Sequence, residues 1–277
     1  MAKYKFNPGI IAADSLTDIL LFVQSEFVTG DMVVFDIDEV LITERLDPFY
    51  FEHFKVESDL YKEFNLLDSE QKDLFFFFLL VTQSPQNIQL MDISIPELML
   101  NLQNEGVICV ANTAMPSSFM KCGRQFNFAE ARKRLLSEFG FNFSVPEFSI
   151  DLSDILEDLL DRNFATNPIW DSGVLFSSKA SKSTTQMALL RCMSNVPRKF
   201  LFVDDNIENV RQMFGDISEM GIECYCIHYT KSQHVTWEDY FSVEDYNREL
   251  GKQEFFLRDL IGGGEVNSYF SEYEDLQ

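Results

Sequence analysis

Hydrophobic residues along the chain fall into two kinds of pattern. Short unbroken apolar runs bounded by polar turns occur at residues 33–35, 107–111, 174–176 and 200–203. Runs of this length read as strands buried on both faces, as in a parallel sheet. A further strand is predicted over 222–227. Helical spacing fills the intervals. Ser15 with Asp18 reads as an N-terminal cap for a helix from 16 to about 27, and Gly30-Asp31 then turns the chain into the first core strand. Asn127 with Glu130 repeats the cap signal. Phe128, Ala131, Leu135 and Phe139 then share one helical face, with Gly140 as a stop. Helices are also predicted over 184–195, with Met187 and Leu190 inward, and over 206–220, closed by Gly221. Residues 141–172 read as an irregular or partly helical excursion. Strands alternating with helices predict an α/β fold built on a doubly wound parallel sheet.

The interval 44–104 is helical in pattern, rich in Phe, and broken by Pro48, Pro85 and Pro96. Its longest apolar run, 74–81, is far short of the roughly 20 residues that span a bilayer, and reads as a buried helix. No continuous apolar segment follows the basic start of the chain, so no secretory signal is expected. From about Trp237 the sequence is acidic and aromatic, and Gly262-Gly263-Gly264 marks a break before the tail.

Charge and cysteine content narrow the partners. With 22 basic and 45 acidic residues among 277, the formal charge is −23, which argues against nucleic acid or an anionic membrane as partner. Length allows one large domain or two small ones. An odd count of five cysteines fits a reducing compartment. Cys224, Cys226 and His228 would share one face of a strand with neighbours about 6.5–7 Å apart. That spacing is awkward for ligands converging on one zinc at about 2.0–2.3 Å, so the segment reads as an ordinary strand. Cys192-Met193-Ser194-Asn195-Val196-Pro197-Arg198 has the cysteine-to-arginine spacing of cysteine-based phosphatases. The required order of strand, phosphate loop and helix is reversed here, and Pro197 removes an amide donor.

The chemistry-bearing residues sit where strands end. Val33-Val34-Phe35-Asp36-Ile37-Asp38 carries two aspartates one residue apart after an apolar run. Val107 to Ala111 leads through Asn112 to Thr113. Lys182 opens a helical stretch after Val174-Leu175-Phe176, and Phe200-Leu201-Phe202-Val203 ends in Asp204-Asp205, followed by Asn209. Open α/β sheets place their chemistry at the C-terminal ends of strands. Burying several carboxylates there is costly without a cation.

This order resembles the haloacid-dehalogenase superfamily, whose four motifs occur in the same sequence. The flanking text, 36–41 and Cys226-Ile227-His228-Tyr229-Thr230, is similar to a bacterial branch that includes a secreted effector phosphotyrosine phosphatase. The resemblance implies a discontinuous core over 1–43 and 105–235, a helical cap inserted at 44–104 that would exclude water from the site, and an acidic C-terminal extension at 236–277. It implies a Mg²⁺-dependent phosphohydrolase in which Asp36 attacks phosphorus and Asp38 serves as general acid and base. Thr113 and Lys182 would hold the phosphoryl oxygens. Asp36, the Asp38 carbonyl and the Asp204/Asp205 pair would hold Mg²⁺, with Asn209 steadying the pair. The substrate would be a phosphorylated small molecule or a phosphoprotein. The protein would act in the cytoplasm of its producing cell or, as a translocated effector, in a host.

Alternatives stay open at several positions. Lys179 competes with Lys182, Thr113 could cap the next element, and Asp205 could be an N-cap rather than a ligand. Glu39 and Asn112 stand where relatives usually have a small and an apolar residue. Asp38 disfavours dehalogenase chemistry, and a transport ATPase would carry Lys after the nucleophile and membrane helices. The same residues could transfer phosphate to a second substrate. A catalytically weak scaffold acting as a protein-binding module is the non-enzymatic alternative.

Overall fold

In the computed structural model of the chain, the described residues are 6–44, 59–68, 71–72, 74–75, 78–79, 88–121, 124–144, 168–178, 180–231 and 242–263. In chain order the elements are β1 (Gly9–Ala13), α1 (Leu16–Glu26), β2 (Met32–Phe35), β3 (Ile42–Glu44), α2 (Asp59–Leu66), β4 (Ile88–Leu90), α3 (Ile95–Asn104), β5 (Ile108–Thr113), β6 (Phe119–Lys121), β7 (Arg124–Phe126), α4 (Phe128–Glu138), β8 (Ile169–Asp171), β9 (Val174–Phe176), α5 (Lys182–Cys192), β10 (Lys199–Asp204), α6 (Ile207–Glu219), β11 (Glu223–Tyr229) and α7 (Val243–Ile261).

The apolar runs become adjacent strands of one seven-stranded sheet, in the order β1-β11-β10-β2-β5-β9-β8. Every pairing is parallel except β8 with β9 at the edge. All four residues of β2 are buried, which is why the run shows no polar alternation. Successive side chains still alternate between faces. Met32 and Val34 join a core with Phe200, Phe202, Cys224 and Cys226, completed by Leu189 and Leu190 of α5 and Val210, Met213 and Ile217 of α6. α1 and α3 pack against each other, and α3 lies on β5. The sheet is therefore doubly wound, as the sequence pattern predicts.

Chain order explains where a site can form. From β2 the chain steps outward through β5 to β9, then returns to lay β10 on the other side of β2. The β2/β10 boundary is thus the topological switch point, where crossovers leave in opposite directions and open a crevice at the strand ends.

Capping follows the sequence signals closely. Ser15 Oγ accepts from Asp18 N, and Asn127 Oδ1 accepts from Glu130 N. α5 begins at Lys182, as expected of the residue that opens the helical stretch and two residues ahead of the 184–195 pattern, and Ser181 Oγ caps it by accepting from Thr184 N. Two strands of the seven-stranded sheet, and the two small pairs β3-β4 and β6-β7, fall where none was expected. β1 is a half-exposed edge strand on β11. β8, inside the excursion predicted over 141–172, returns on β9 through a tight turn with positive φ at Ser172 and Gly173.

The chain divides into two compact units, one of residues 1–42 and 90–233 and the other of 43–89 and 234–277. The predicted insertion over 44–104 and the predicted extension over 236–277 are divided differently here. α3 belongs to the sheet unit, burying Ile95, Met99 and Leu102. In the second unit α7 packs with α2, and Phe78 stacks on Phe256 at 4.1 Å between ring centres. Phe75 lies between Phe64 and Phe256, and Gln71 Nε2 donates to the Leu260 carbonyl. The acidic composition of 236–277 conceals a helical stripe of Tyr246, Phe256, Leu257 and Leu260, all buried. Leu74, Phe75, Phe78 and Leu79 are helical and buried, as predicted for that run. Among the described residues no helix is long and apolar enough to cross a membrane.

Candidate active site

β2, β5 and β10 end side by side, and each delivers one buried polar residue to the same edge: Asp36, Thr113 and Asp204. Asp36 is fixed by backbone bonds, its N–H donating to the Val203 carbonyl of the neighbouring strand. The chain then turns sharply. Ile37 O accepts from both Leu41 N and Ile42 N, while Glu39 takes a φ of +60°. This turn brings Asp38 back beside Ile42 at the start of β3.

Lys182 joins these ends. Its Nζ lies 2.6 Å from Asp36 Oδ1 and 2.8 Å from Asp204 Oδ2, with all three side chains buried. At an effective dielectric near 20, two contacts this short are worth about 6 kcal/mol each. That offsets the several kcal/mol lost when the ammonium leaves water. Burial opposes the Lys182 charge, but the two carboxylates reverse that and hold its pKa above the ordinary lysine value. Burial raises Asp36 well above the ordinary carboxylate value; Lys182 pulls it back, while Asp204, Asp205 and Asp38 push it further up. The competing candidate Lys179 lies outside the described residues.

The two members of the Asp204/Asp205 pair have different surroundings. Asp204 Oδ2 receives Lys182 and Asn209 Nδ2, and Oδ1 receives Asn206 N and Asn209 Nδ2. Its acceptor capacity is therefore largely filled. No side chain among the described residues donates to the Asp205 carboxylate, and burial with the Asp204 charge pushes it up to about 6. The helix cap beside them is Asn206, whose side chain accepts from Glu208 N, so Asp205 is not the N-cap. Asp36 shows the same division within one carboxylate. Oδ1 takes Ile37 N at 2.7 Å and Lys182, while Oδ2 is left open among the described residues.

Carboxylate oxygens of Asp36, Asp204 and Asp205 lie within 4.8 Å of one another. An all-oxygen donor set of this kind fits a hard divalent cation such as Mg²⁺. Asp205 keeps open lone pairs that a cation would use, whereas Asp204 anchors the lysine. Thr113 is buried at the end of β5. Its Oγ1 accepts from Met115 N at 3.1 Å, which leaves the hydroxyl hydrogen to donate elsewhere.

Arg132 enters the site without an apolar signal. The predicted inward face of α4 was Phe128, Ala131, Leu135 and Phe139; the buried residues are Phe128, Ala129, Arg132 and Leu136. The helix is rotated so that Arg132, 4% exposed, places Nη1 3.1 Å from Asp38 Oδ1. A cationic residue among the inward positions of an amphipathic helix was the one available clue. Among the described residues, four carboxylates at this edge, those of Asp36, Asp38, Asp204 and Asp205, face the two cations Lys182 and Arg132.

The other motifs stay outside this chemistry. Cys224 and Cys226 are buried thiols on β11 with their sulfurs 3.6 Å apart, and that contact together with burial pushes Cys226 far up. His228 contacts the Asp205 carbonyl at 3.0 Å, so the three residues do not converge on one ion. Cys192 ends α5 and Arg198 is largely exposed near Asp31, so they frame no phosphate loop.

Fold and site together define a doubly wound α/β protein with a lysine-bridged acid cluster at its switch point. The chain belongs to the family described as proteins of unknown function, DUF2608, whose model matches residues 13–249. No curated protein and no solved structure matches it.

Proposed function

We propose that the protein is a Mg²⁺-dependent phosphohydrolase that forms an aspartyl-phosphate on Asp36. One observation carries the reading: Lys182 bridges Asp36 and Asp204 at the switch point, beside Asp205, whose carboxylate has open lone pairs. A stability role alone gives no reason to gather several acids at one sheet edge, since apolar residues of similar volume are often as stable. The motif order, which resembles the haloacid-dehalogenase pattern, supports the same chemistry.

The steps follow from the residues. Asp36 Oδ2 attacks the phosphorus of a phosphate monoester, and the ester oxygen leaves with a proton from Asp38. Water then attacks the phosphorus of the aspartyl-phosphate, giving its proton to Asp38, and inorganic phosphate and free Asp36 result. Thr113 donates its hydroxyl hydrogen, and Lys182 presents its charge, to the phosphoryl oxygens. Arg132 holds the Asp38 carboxylate between the two steps. Asp36, the Asp38 carbonyl and Asp205 would hold Mg²⁺, which supplies charge neutralisation of the phosphoryl group when bound. Substrates in this reading are small phosphorylated metabolites or phosphotyrosine proteins.

The test is hydrolysis of a chromogenic aryl phosphate and of phosphometabolite and phosphopeptide panels. Turnover is expected with Mg²⁺ and is lost with EDTA or in Asp36→Asn. A phosphoryl adduct on Asp36 should appear in rapidly quenched wild type. Absence of Mg²⁺-dependent turnover across both panels overturns the proposal.

A further inference from the structure

A second set of polar side chains lies directly behind the acid cluster, and the chemistry just described does not use it. Asn112, Ser177, Thr185 and Gln186 are all fully buried. The two 2.6 Å contacts among them run in one direction. The Lys182 carbonyl can only accept, so the Asn112 group 3.0 Å from it must be the Nδ2 amide, which also reaches Gln186 Oε1 at 3.3 Å. Asn112 Oδ1 therefore faces Ser177 Oγ at 2.6 Å and accepts its proton. With that proton committed, the 2.6 Å contact between Ser177 and Thr185 takes its hydrogen from Thr185, whose hydroxyl also lies 3.0 Å from the Lys182 carbonyl and 3.3 Å from the Ser181 carbonyl of its own helix. The result is a chain running Thr185 to Ser177 to Asn112 to the backbone of Lys182.

This chain ties together the elements that carry two phosphate-binding groups. Asn112 directly precedes Thr113 on β5, and their side chains alternate across the strand. Ser177 N donates to the Thr113 carbonyl, extending the β9 pairing by one residue. Lys182 is the first residue of α5, where the helix has no preceding turn of its own to hold it. Replacing hydrogen-bonded partners by apolar groups of similar shape is often neutral for stability, so stability alone does not require this set.

Resting on the phosphohydrolase reading, we infer that Asn112 and Thr185 are positioning residues: through Ser177, and through their own contacts with the Lys182 carbonyl, they lock the Lys182 backbone to the end of β5 and set the spacing between the Thr113 hydroxyl and the Lys182 ammonium. Neither touches the reacting atoms. Their effect is to hold the ammonium between Asp36 and Asp204 before a phosphate group arrives.

The experiment compares full-length wild type with Thr185→Val, Thr185→Ser and Asn112→Ala. Val keeps the shape of Thr and removes the donor; Ser keeps the donor. Two readouts are taken: kcat and KM on an aryl phosphate at saturating Mg²⁺, and acetylation of Lys182 by an amine-reactive reagent, followed by mass spectrometry with exposed Lys252 as internal reference. Because ångström-scale misplacement in a site can cost a hundredfold, Thr185→Val should lower kcat at least about tenfold while KM stays within about threefold. Lys182 should resist acetylation in wild type and Thr185→Ser, and become labelled in Thr185→Val and Asn112→Ala at a temperature where circular dichroism shows every variant folded, although the unpaired groups left behind lower the melting temperature. Equal protection of Lys182 in wild type and Thr185→Val overturns the inference, as does a Thr185→Ser enzyme as impaired as Thr185→Val. Wild type without turnover overturns the phosphohydrolase reading instead, and the acetylation pattern then decides the positioning role alone. If Asn112→Ala does not fold, the Thr185 pair decides it.

Discussion

Arg132 Nη1 stands 3.1 Å from Asp38 Oδ1, a charge contact made from the buried side of α4 to a carboxylate that is itself 39% exposed. An arginine carried inward on a helix is expensive unless its charge is paired, because that charge leaves water. In the proposed mechanism that partner is the proton carrier, and the contact sets its orientation.

Arg132→Met keeps the length of the stem and removes the guanidinium. General acid catalysis contributes about a hundredfold or more, and most where the leaving group is poor. Arg132→Met should therefore cut turnover of an alkyl phosphate at least about tenfold more than that of a nitrophenyl phosphate. Kinetics on the two substrates check it. Equal losses would place Arg132 outside the proton-transfer step.

Lys182→Met leaves the Asp36 and Asp204 carboxylates buried together without their cation. Removing one partner of a buried ion pair costs about 3–5 kcal/mol. Urea unfolding of the metal-free variant should show a loss of that size, with part of it restored by Mg²⁺. A loss below about 1 kcal/mol would mean the acids are already protonated or otherwise compensated.

The acid cluster should make stability depend on pH. Asp205 is pushed from the ordinary 3.8 up to about 6, and Asp36 is raised as well. A carboxyl whose folded pKa lies above its unfolded one binds its proton more tightly when folded. Its contribution is full below about pH 4 and is lost as the pH climbs through about 6. Mg²⁺ should compensate where these groups are ionised, so its melting-temperature gain should be larger at about pH 7.5 than at about pH 5. Asp205→Asn should raise the metal-free melting temperature at the higher pH and abolish the gain. A Mg²⁺ effect that is flat with pH would count against the cluster as the metal site.

Gly173 tests the turn behind β9. It has a φ of +83°, and a Cβ there would lie 2.4 Å from Phe143 Cβ and 2.9 Å from the Ser144 carbonyl. Ser144 is hydrogen-bonded to both backbone groups of Cys109 on β5. Gly173→Ala should therefore lower stability by more than about 1 kcal/mol, read as a shift in the urea midpoint. An unchanged midpoint would show that residues 143–144 move aside freely.

How much of this was legible in the sequence follows from the range of each interaction. The buried strands could be read because a strand covered on both faces must be apolar throughout, as β2 and the middle of β10 are. Asp36, Asp204 and Lys182 stood out because they end or follow such strands, and Ser15 and Asn127 because capping is local chemistry. The packing of α7 with α2 was hidden, since overall acidity outweighed a buried stripe of widely spaced apolar residues.

By itself the sequence determined five of the sheet's seven strands, their alternation with helices along the chain, and the aspartates and lysine that end or follow those strands. Tertiary structure alone decided which face of α4 turns inward, because an arginine becomes an interior residue only when a distant carboxylate meets it. It also decided the separate roles of Asp204 and Asp205, adjacent and chemically identical. Lys182 and Asn209 saturate one and leave the other open. Such a difference depends on which donors arrive from elsewhere in the fold, and neighbouring letters in a chain do not carry it.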